Sequence, residues 1–136
     1  MCIGGIQIMS EVKKDLKYTE EHEWVMIEGE QMLIGITDHA QDSLGEIVYL
    51  ELPSVGDNLS KSSTFGAVES TKSVSDLYTP IDCQVVEVNS SAENSPEVIN
   101  QSPYKEGWLI KVKATNTNDY DDLLSPEDYE SLINEE

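Results

Sequence analysis

Arginine is absent from this 136-residue sequence, in which eight lysines face 27 acidic residues and the formal net charge is −19. Nucleic-acid binding is excluded, because a protein that binds phosphates needs a basic surface to replace their counterions. An anionic membrane surface would repel the chain for the same reason. Without arginine there is no bidentate fork to clamp a phosphoryl group, so the sequence does not predict a phosphoryl-transfer site.

Cysteine and long apolar runs are also scarce. Cys2 and Cys83 do not have the spacing of metal ligands, and a reducing compartment is the simpler interpretation of two cysteines. No apolar run approaches the ~20 residues that span a membrane, and residues 1–10 lack the basic flank of a signal peptide. The sequence therefore predicts an acidic, soluble, intracellular protein without a metal site.

Short strands dominate the rest of the chain. Residues 1–15 show no strong periodicity and are predicted to form a flexible N-terminal arm, followed by a single domain over residues 16–136. Apolar and polar residues alternate on both sides of Gly29, which predicts a hairpin of residues 24–26 and 32–36. Further strands are predicted at residues 46–52, 65–68, 74–78, 84–88 and 108–112.

Helices are predicted at three places between and after these strands. Thr37 or Asp38 can cap a short helix, which Gly45 can end in the left-handed region. Pro96 starts a further helical turn, and the polar segment before it, rich in serine and asparagine, is interpreted as a loop. A C-terminal helix starts at Pro126, with acidic residues in its first turn and one apolar face. The pattern indicates a mostly β domain with short helices.

No arrangement of residues specifies an active site. His22 and His39 are the only histidines, and no serine or cysteine lies in a context typical of an activated nucleophile. We interpret His39 as a partly exposed helix residue and Cys83 as a buried or edge thiol without a chemical role. The sequence therefore does not predict an enzyme.

Lys72 stands out by its position. It lies in the polar turn of residues 69–73 between two apolar strands, and Lys61 is the only other basic residue from Tyr18 to Tyr104. A rigid hairpin would present the amine to solvent, where another protein could reach it. On composition alone, a solvated turn lysine is the simpler interpretation.

The neighbours of Lys72 argue against that simpler interpretation. The lysine lies in FGAVESTKSVSDLYTP (65–80), after HEW (22–24), GITDHAQD (35–42) and LGEIV (44–48), and before SPY (102–104) and GWLIK (107–111). In this order, over residues 16–133, the chain resembles the glycine cleavage system H-protein family. Thr71 and Ser73 depart from the Val and Ala of many relatives. The methionines of biotin carriers and the Asp-Lys pair of other lipoyl domains are absent.

The resemblance implies a barrel-sandwich hybrid of two small antiparallel sheets, with short helices and a C-terminal helix. It also implies a monomeric carrier, not an enzyme, with lipoic acid amide-linked to Lys72. The implied partners are a lipoylating enzyme, a pyridoxal-phosphate glycine decarboxylase, a folate-dependent aminomethyltransferase and a flavoprotein dihydrolipoamide dehydrogenase. The arm would carry the aminomethyl group of glycine from the decarboxylase to the transferase. The expected location is the bacterial cytoplasm, or the mitochondrial matrix in a eukaryote.

Three acidic residues match positions to which the resemblance gives a role. Glu23 and Asp76 match positions near the cleft in which the loaded arm rests, and we expect them to hold the amine by charge-assisted hydrogen bonds. Glu69, three residues before Lys72, is expected to help the modifying enzyme choose its lysine. Glu21 falls where relatives can carry a small polar residue.

Two alternatives to the shuttle function remain open at this stage. An H-like protein can keep the fold and the cofactor but act as a lipoyl donor for other lipoate-dependent complexes. A protein of another class, an acidic interaction domain with an unmodified Lys72, would also explain the composition. Lipoate on the native protein would eliminate this last alternative.

Overall fold

The computed structural model describes residues 12–115 and 118–134. The strands of this part are β1 (Lys17–Tyr18), β2 (Glu23–Glu28), β3 (Gln31–Ile36), β4 (Ile47–Glu51), β5 (Asn58–Leu59), β6 (Thr64–Ser70), β7 (Val74–Tyr78), β8 (Cys83–Val88) and β9 (Ile110–Ala114). Its helices are α1 (Asp38–Leu44), α2 (Ser90–Asn94), α3 (Glu97–Gln101), α4 (Asn118–Asp121) and α5 (Pro126–Asn134). No helix among the described residues is long and apolar enough to cross a membrane.

The strands form two sheets, and every strand pair is antiparallel. The larger sheet has the order β1-β2-β3-β9-β8-β5 and the smaller one the order β4-β6-β7. Apolar side chains from both sheets, such as Ile34, Val68 and Val112, form the main core. A second cluster joins Trp24 of β2 to Tyr129 of α5. The predicted mostly β fold of two antiparallel sheets with short helices and a C-terminal helix is confirmed.

Local patterns predicted the start of the domain well. β2 and β3 pair in the expected hairpin, with Gly29 at φ 64° in the turn. Thr37 caps α1, because its side-chain oxygen accepts the N–H of Ala40 at 3.1 Å. Gly45 ends this helix at φ 83°, a positive angle as predicted. Its ψ of −154° lies outside the left-handed helical region, so that detail of the prediction was wrong.

Two other local predictions need correction. The last long strand runs from Ile110 to Ala114, two residues later than predicted. The segment for which the sequence predicts a loop contains α2, and the side-chain oxygen of Asn89 caps this helix by accepting the N–H of Ala92 at 3.3 Å. The amide of Asn89 also donates to the carbonyls of Glu106 and Trp108, at 2.8 and 2.6 Å. These partners are distant in sequence, so no local pattern indicates the helix.

The predicted N-terminal arm is described only in part, because residues 1–11 lie outside the described residues. In the remainder, Val12 packs against the second cluster. The hydroxyl of Tyr18 donates a 2.7 Å hydrogen bond to the carbonyl of Lys13. The last residues of the arm thus contact the domain.

Candidate functional site

The tip of the β6–β7 hairpin is held by one buried side chain. The hydroxyl oxygen of Ser70 accepts hydrogen bonds from the backbone N–H groups of Lys72 and Ser73, both at 3.1 Å. The N–H of Ser70 donates to the carbonyl of Ser73 at 2.8 Å. Ser70 is 7% exposed, so these bonds lie largely out of water. Sequence reasoning missed this role, although serine is typical of turns in which a side chain binds the backbone two residues on.

The tip is also tied to the neighbouring strand. The N–H of Thr71 donates to the carbonyl of Glu46, just before β4, at 3.0 Å. Together with the contacts between Ser70 and Ser73, this bond fixes the backbone on both sides of Lys72. The lysine is therefore carried by an ordered hairpin, as the sequence predicted.

The side chain of Lys72 is exposed and lies over Gly45. A methyl group on Gly45 would lie 3.1 Å from Cε and 3.5 Å from Nζ of Lys72. Glycine thus leaves room for the lysine stem and tolerates the φ of 83° at this position. No carboxylate of the described residues lies within ion-pair distance of the Lys72 amine. Lys61, by contrast, lies 4.0 Å from Asp119 and 3.9 Å from Asp122.

A cleft of about 300 Å³ opens between β2, α1 and β7. Its lining combines apolar side chains, such as Ile36, Leu44 and Leu77, with the acidic residues Glu21, Glu23 and Asp76. Leu44 directly precedes Gly45, over which the Lys72 stem lies. The structure thus brings Glu23 and Asp76 into one cleft near the lysine. Glu69 does not line it.

Glu23 is almost completely buried, at 2% exposed. One carboxyl oxygen accepts the hydroxyl of Thr19 at 2.9 Å, and the other accepts the N–H of Tyr78 at 3.0 Å. Loss of solvation raises the pKa of Glu23 to about 8, with a smaller contribution from the charge of Glu21. The two hydrogen bonds act in the opposite direction. Asp76 is exposed on β7, an edge strand of the smaller sheet.

The cleft has a further group of polar residues that sequence reasoning did not bring together. The rings of His22 and His39 both line the cleft, with centroids 4.8 Å apart. Nδ1 of His22 lies 2.8 Å from the hydroxyl of Tyr129, which lies 2.7 Å from the hydroxyl of Thr37. The C-terminal helix α5 therefore contacts His22, one of the residues that line the cleft. His22 and Tyr129 are 107 residues apart, so no local pattern indicates this contact.

Other chemistry is not evident in the described part of the chain. No group of three or more His, Cys, Asp or Glu residues there could hold a metal ion. Cys83 is buried, as expected, and burial raises the pKa of its thiol to about 12. The thiolate form, which is the reactive one, is therefore disfavoured at this position.

A lysine held on an ordered hairpin beside an acidic and partly apolar cleft is an arrangement that suits a carrier protein, which presents an attached group to its partners. A family model described as "Glycine cleavage H-protein" matches residues 16–136. The chain therefore belongs to the glycine cleavage H-protein family.

Individual relatives agree with this assignment. The chain is 56% identical over 128 residues to a glycine cleavage system H protein of Carboxydothermus hydrogenoformans, covering 94% of this chain and 98% of the relative. It is 52% identical over 122 residues to one of Geobacillus kaustophilus, covering 90% and 96%. The crystal structure of a glycine cleavage system H protein from Mycobacterium marinum superposes with a TM-score of 0.84, at 38% identity, covering 90% of this chain and 99% of that chain.

The family defines the function in general terms. Glycine cleavage H-proteins are the lipoyl-carrying shuttles of the glycine cleavage system and are not themselves enzymes, so this chain is a shuttle protein of that system. Membership in a multienzyme system also implies partner enzymes.

Proposed function

We propose that Lys72 carries lipoic acid, joined by an amide bond at Nζ, and that this arm is the working part of the shuttle. The observation that carries the proposal is the exposed Lys72 side chain on a hairpin tip fixed by Ser70. Formation of the amide removes one positive charge and changes the formal net charge from −19 to −20. When bound, lipoic acid supplies a sulfur that accepts the aminomethyl group of glycine.

The residues of the cleft fit an apolar arm that ends in an amine. The side chains of Leu44 and Leu77 can pack against hydrocarbon, while the carboxyl groups of Glu23 and Asp76 can hold an ammonium group. A positive charge beside Glu23 would favour its ionised form and lower its pKa from the value of about 8 in the free protein. Binding of the amine is therefore expected to release or transfer the proton of Glu23.

This role of the cleft can be tested by the lifetime of the loaded protein. We expect Glu23→Gln and Asp76→Asn to release the aminomethyl group faster than wild type, because each removes one charge that holds the amine. Glu69→Gln, which removes a carboxylate outside the cleft lining, is the matched control. Release of formaldehyde and ammonia from the purified loaded protein gives the rate. Equal rates in all four proteins would contradict the role of the cleft.

The partners follow from the same proposal. We propose that the arm visits glycine decarboxylase, aminomethyltransferase and dihydrolipoamide dehydrogenase, after a lipoylating enzyme has used Glu69 to choose Lys72. The protein would act as a monomer, as one lipoyl-carrier domain of residues 16–136 with an N-terminal arm of residues 1–15. The matched relatives are bacterial, which supports a location in the bacterial cytoplasm.

Reconstitution tests the proposal as a whole. Purified lipoylated protein is mixed with the three partner enzymes, and glycine-dependent exchange of labelled bicarbonate is followed. We expect exchange with the lipoylated protein and none with the unmodified protein. Absence of exchange although lipoate is attached would contradict the shuttle role and favour that of a lipoyl donor for other complexes.

A further inference from the structure

The outer face of the smaller sheet exposes two apolar side chains on either side of an acidic one. The strand register places Tyr49 of β4 opposite Glu69 of β6, and Glu69 opposite Val74 of β7. Residues directly opposite each other in antiparallel strands have side chains on the same face. Tyr49 is 56% exposed and Val74 is 65% exposed, so these three residues form a continuous surface, which we call the outer row.

The outer row lies beside the tip that carries Lys72. Glu69 and Val74 are the last residue pair of the β6–β7 ladder before the turn. The next residues on the same face are Glu51, Ala67 and Asp76, which are again opposite one another. The two sets together contain three carboxylates and no basic residue. A surface that complements them would be apolar and would carry positive charge.

We propose that the outer row, Tyr49–Glu69–Val74, is the docking surface for the enzyme that acylates Lys72. The complementary surface of that enzyme would provide an apolar contact for Tyr49 and Val74 and a basic side chain for Glu69. This inference rests on the proposed function, since it assumes that Lys72 is the modified lysine.

The short reach of the bare lysine favours this partner over the others. An enzyme that forms the amide must bring its reacting carbon to Nζ of Lys72, which extends only one lysine side chain from the hairpin. Its surface must therefore close on the residues beside the tip. Enzymes of the glycine cleavage system act on a sulfur at the far end of the attached arm, so they can bind with the hairpin further away.

The need to select one lysine among several gives a second reason to assign the outer row to the acylating enzyme. The chain has eight lysines, and the immediate neighbours of Lys72, Thr71 and Ser73, are small and polar. Small polar neighbours offer little contact area by which an enzyme could distinguish this lysine. The outer row supplies exposed apolar area and a charge at a fixed place beside the tip. It is therefore the surface from which Lys72 can be identified.

In the acylation reaction, the co-reactant is an acyl adenylate. The neutral amine of Lys72 attacks the carbonyl carbon, a C–N bond forms, and the C–O bond to the phosphate breaks. AMP leaves with the electron pair, and one proton passes from nitrogen to solvent. The outer row supplies none of these groups, so its residues position the enzyme and take no part in the chemistry.

The test compares exposed apolar residues inside and outside the outer row. The variants Tyr49→Ser, Val74→Ser and Glu69→Gln are made in the full chain. The matched controls are Ile27→Ser and Val55→Ser, whose side chains are 51% and 62% exposed at other places. Each protein is incubated with a lipoate–protein ligase, lipoate and ATP, and the rate of lipoyl transfer is measured by intact mass. Circular dichroism verifies that all variants are folded.

We expect kcat/KM for lipoylation to fall about tenfold in Tyr49→Ser and Val74→Ser, mainly through a higher KM. Glu69→Gln should lower the rate and make it less dependent on salt, because it removes a charge from the interface. Both control variants should remain within about twofold of wild type. Once lipoylated, the outer-row variants should support bicarbonate exchange like wild type.

Two results would overturn the inference while leaving the proposed function intact. One is lipoylation of Tyr49→Ser and Val74→Ser at the rate of the controls. The other is unchanged lipoylation with a raised KM for the decarboxylase, which would assign the outer row to that enzyme. Lipoylation that persists in Lys72→Ala would overturn both the inference and the proposed function.

Discussion

Lys72 at the hairpin tip and Glu23 in the neighbouring cleft are both ionisable groups, but the protein holds them in opposite ways. The amine of Lys72 is exposed to water, and its position depends on backbone contacts made by Ser70 and Thr71. The carboxyl group of Glu23 is buried and contacts Thr19 and Tyr78, and loss of solvation raises its pKa to about 8. The tip thus determines where the Lys72 amine is placed, whereas burial in the cleft determines whether the Glu23 carboxyl group is ionised.

This difference separates two tasks of a carrier. Exposure of the amine allows an enzyme to reach it, and the ordered hairpin determines where an arm attached to it would begin. Burial of the carboxyl group raises its pKa, so its charge would depend on whether a cation is bound beside it. Substitution of the exposed Lys72 should therefore change modification without much change in stability. Substitution of the buried Glu23 should change stability and its dependence on pH.

The largest expected effect is the loss of lipoylation when Lys72 is replaced by alanine. Lys72→Ala should abolish lipoylation and bicarbonate exchange, while the midpoint of thermal unfolding stays close to that of wild type, because the side chain is exposed. Lys61→Ala is the matched control. It removes ion pairs of 3.9 and 4.0 Å on a half-exposed side chain and should cost at most ~1 kcal/mol, with full lipoylation. Loss of lipoylation in Lys61→Ala would contradict the expectation that only Lys72 is modified.

A pH effect of several kcal/mol is expected from Glu23. Its pKa is raised from 4.5 to about 8 on folding, so the folded state binds more protons than the unfolded state in this range. The contribution of Glu23 to stability is therefore fully present below pH 4.5 and is lost as the pH rises through about 8. Since one pKa unit corresponds to ~1.4 kcal/mol, Glu23→Gln should gain stability relative to wild type by ~2–4 kcal/mol between about pH 5 and about pH 9.

Denaturant unfolding of both proteins at the two pH values measures this difference. The control Asp76→Asn removes a carboxylate at an exposed position of the same cleft and should change the unfolding free energy by less than ~0.5 kcal/mol at either pH. A constant difference between wild type and Glu23→Gln at both pH values would show that Glu23 does not titrate in this range.

The smallest effect is expected from Ser70, whose side chain holds the backbone of the tip. Ser70→Ala removes the oxygen that accepts the N–H groups of Lys72 and Ser73 and should cost ~1–2 kcal/mol of unfolding free energy. Ser73→Ala, an exposed serine of the same turn, should cost less than ~0.5 kcal/mol. Faster amide hydrogen exchange at Lys72 in Ser70→Ala alone would support the role of Ser70. Equal exchange in both variants would show that the tip is held by other contacts.

Sequence alone predicted the elements whose signals are local. β7 has the predicted bounds, Val74–Tyr78, because alternation of apolar residues and the following Pro80 both act within a few residues. The cap at Thr37 and the positive φ at Gly29 and Gly45 are local in the same sense. Lys72 could be singled out because its isolation in a polar turn is visible in the sequence, although its proposed role came from the resemblance.

The remaining features depend on contacts between distant parts of the chain. The capping residue of α2, Asn89, is held in place by the carbonyl groups of residues 106 and 108. The contact between His22 and Tyr129 likewise joins the two ends of the domain. The burial that raises the pKa of Glu23 arises from β7 and the Thr19 turn, which pack around it only in the folded protein. Such effects leave no periodic pattern in the sequence.

The identity of the modified lysine is tested most directly by mass spectrometry of the native protein. The protein is purified from its source cells, and its intact mass and peptide map are recorded. One lipoyl group per chain, located on Lys72 with Lys61 unmodified, is the predicted result. A lipoyl group on another lysine, or none at all in cells whose other lipoyl proteins are modified, would contradict the central claim.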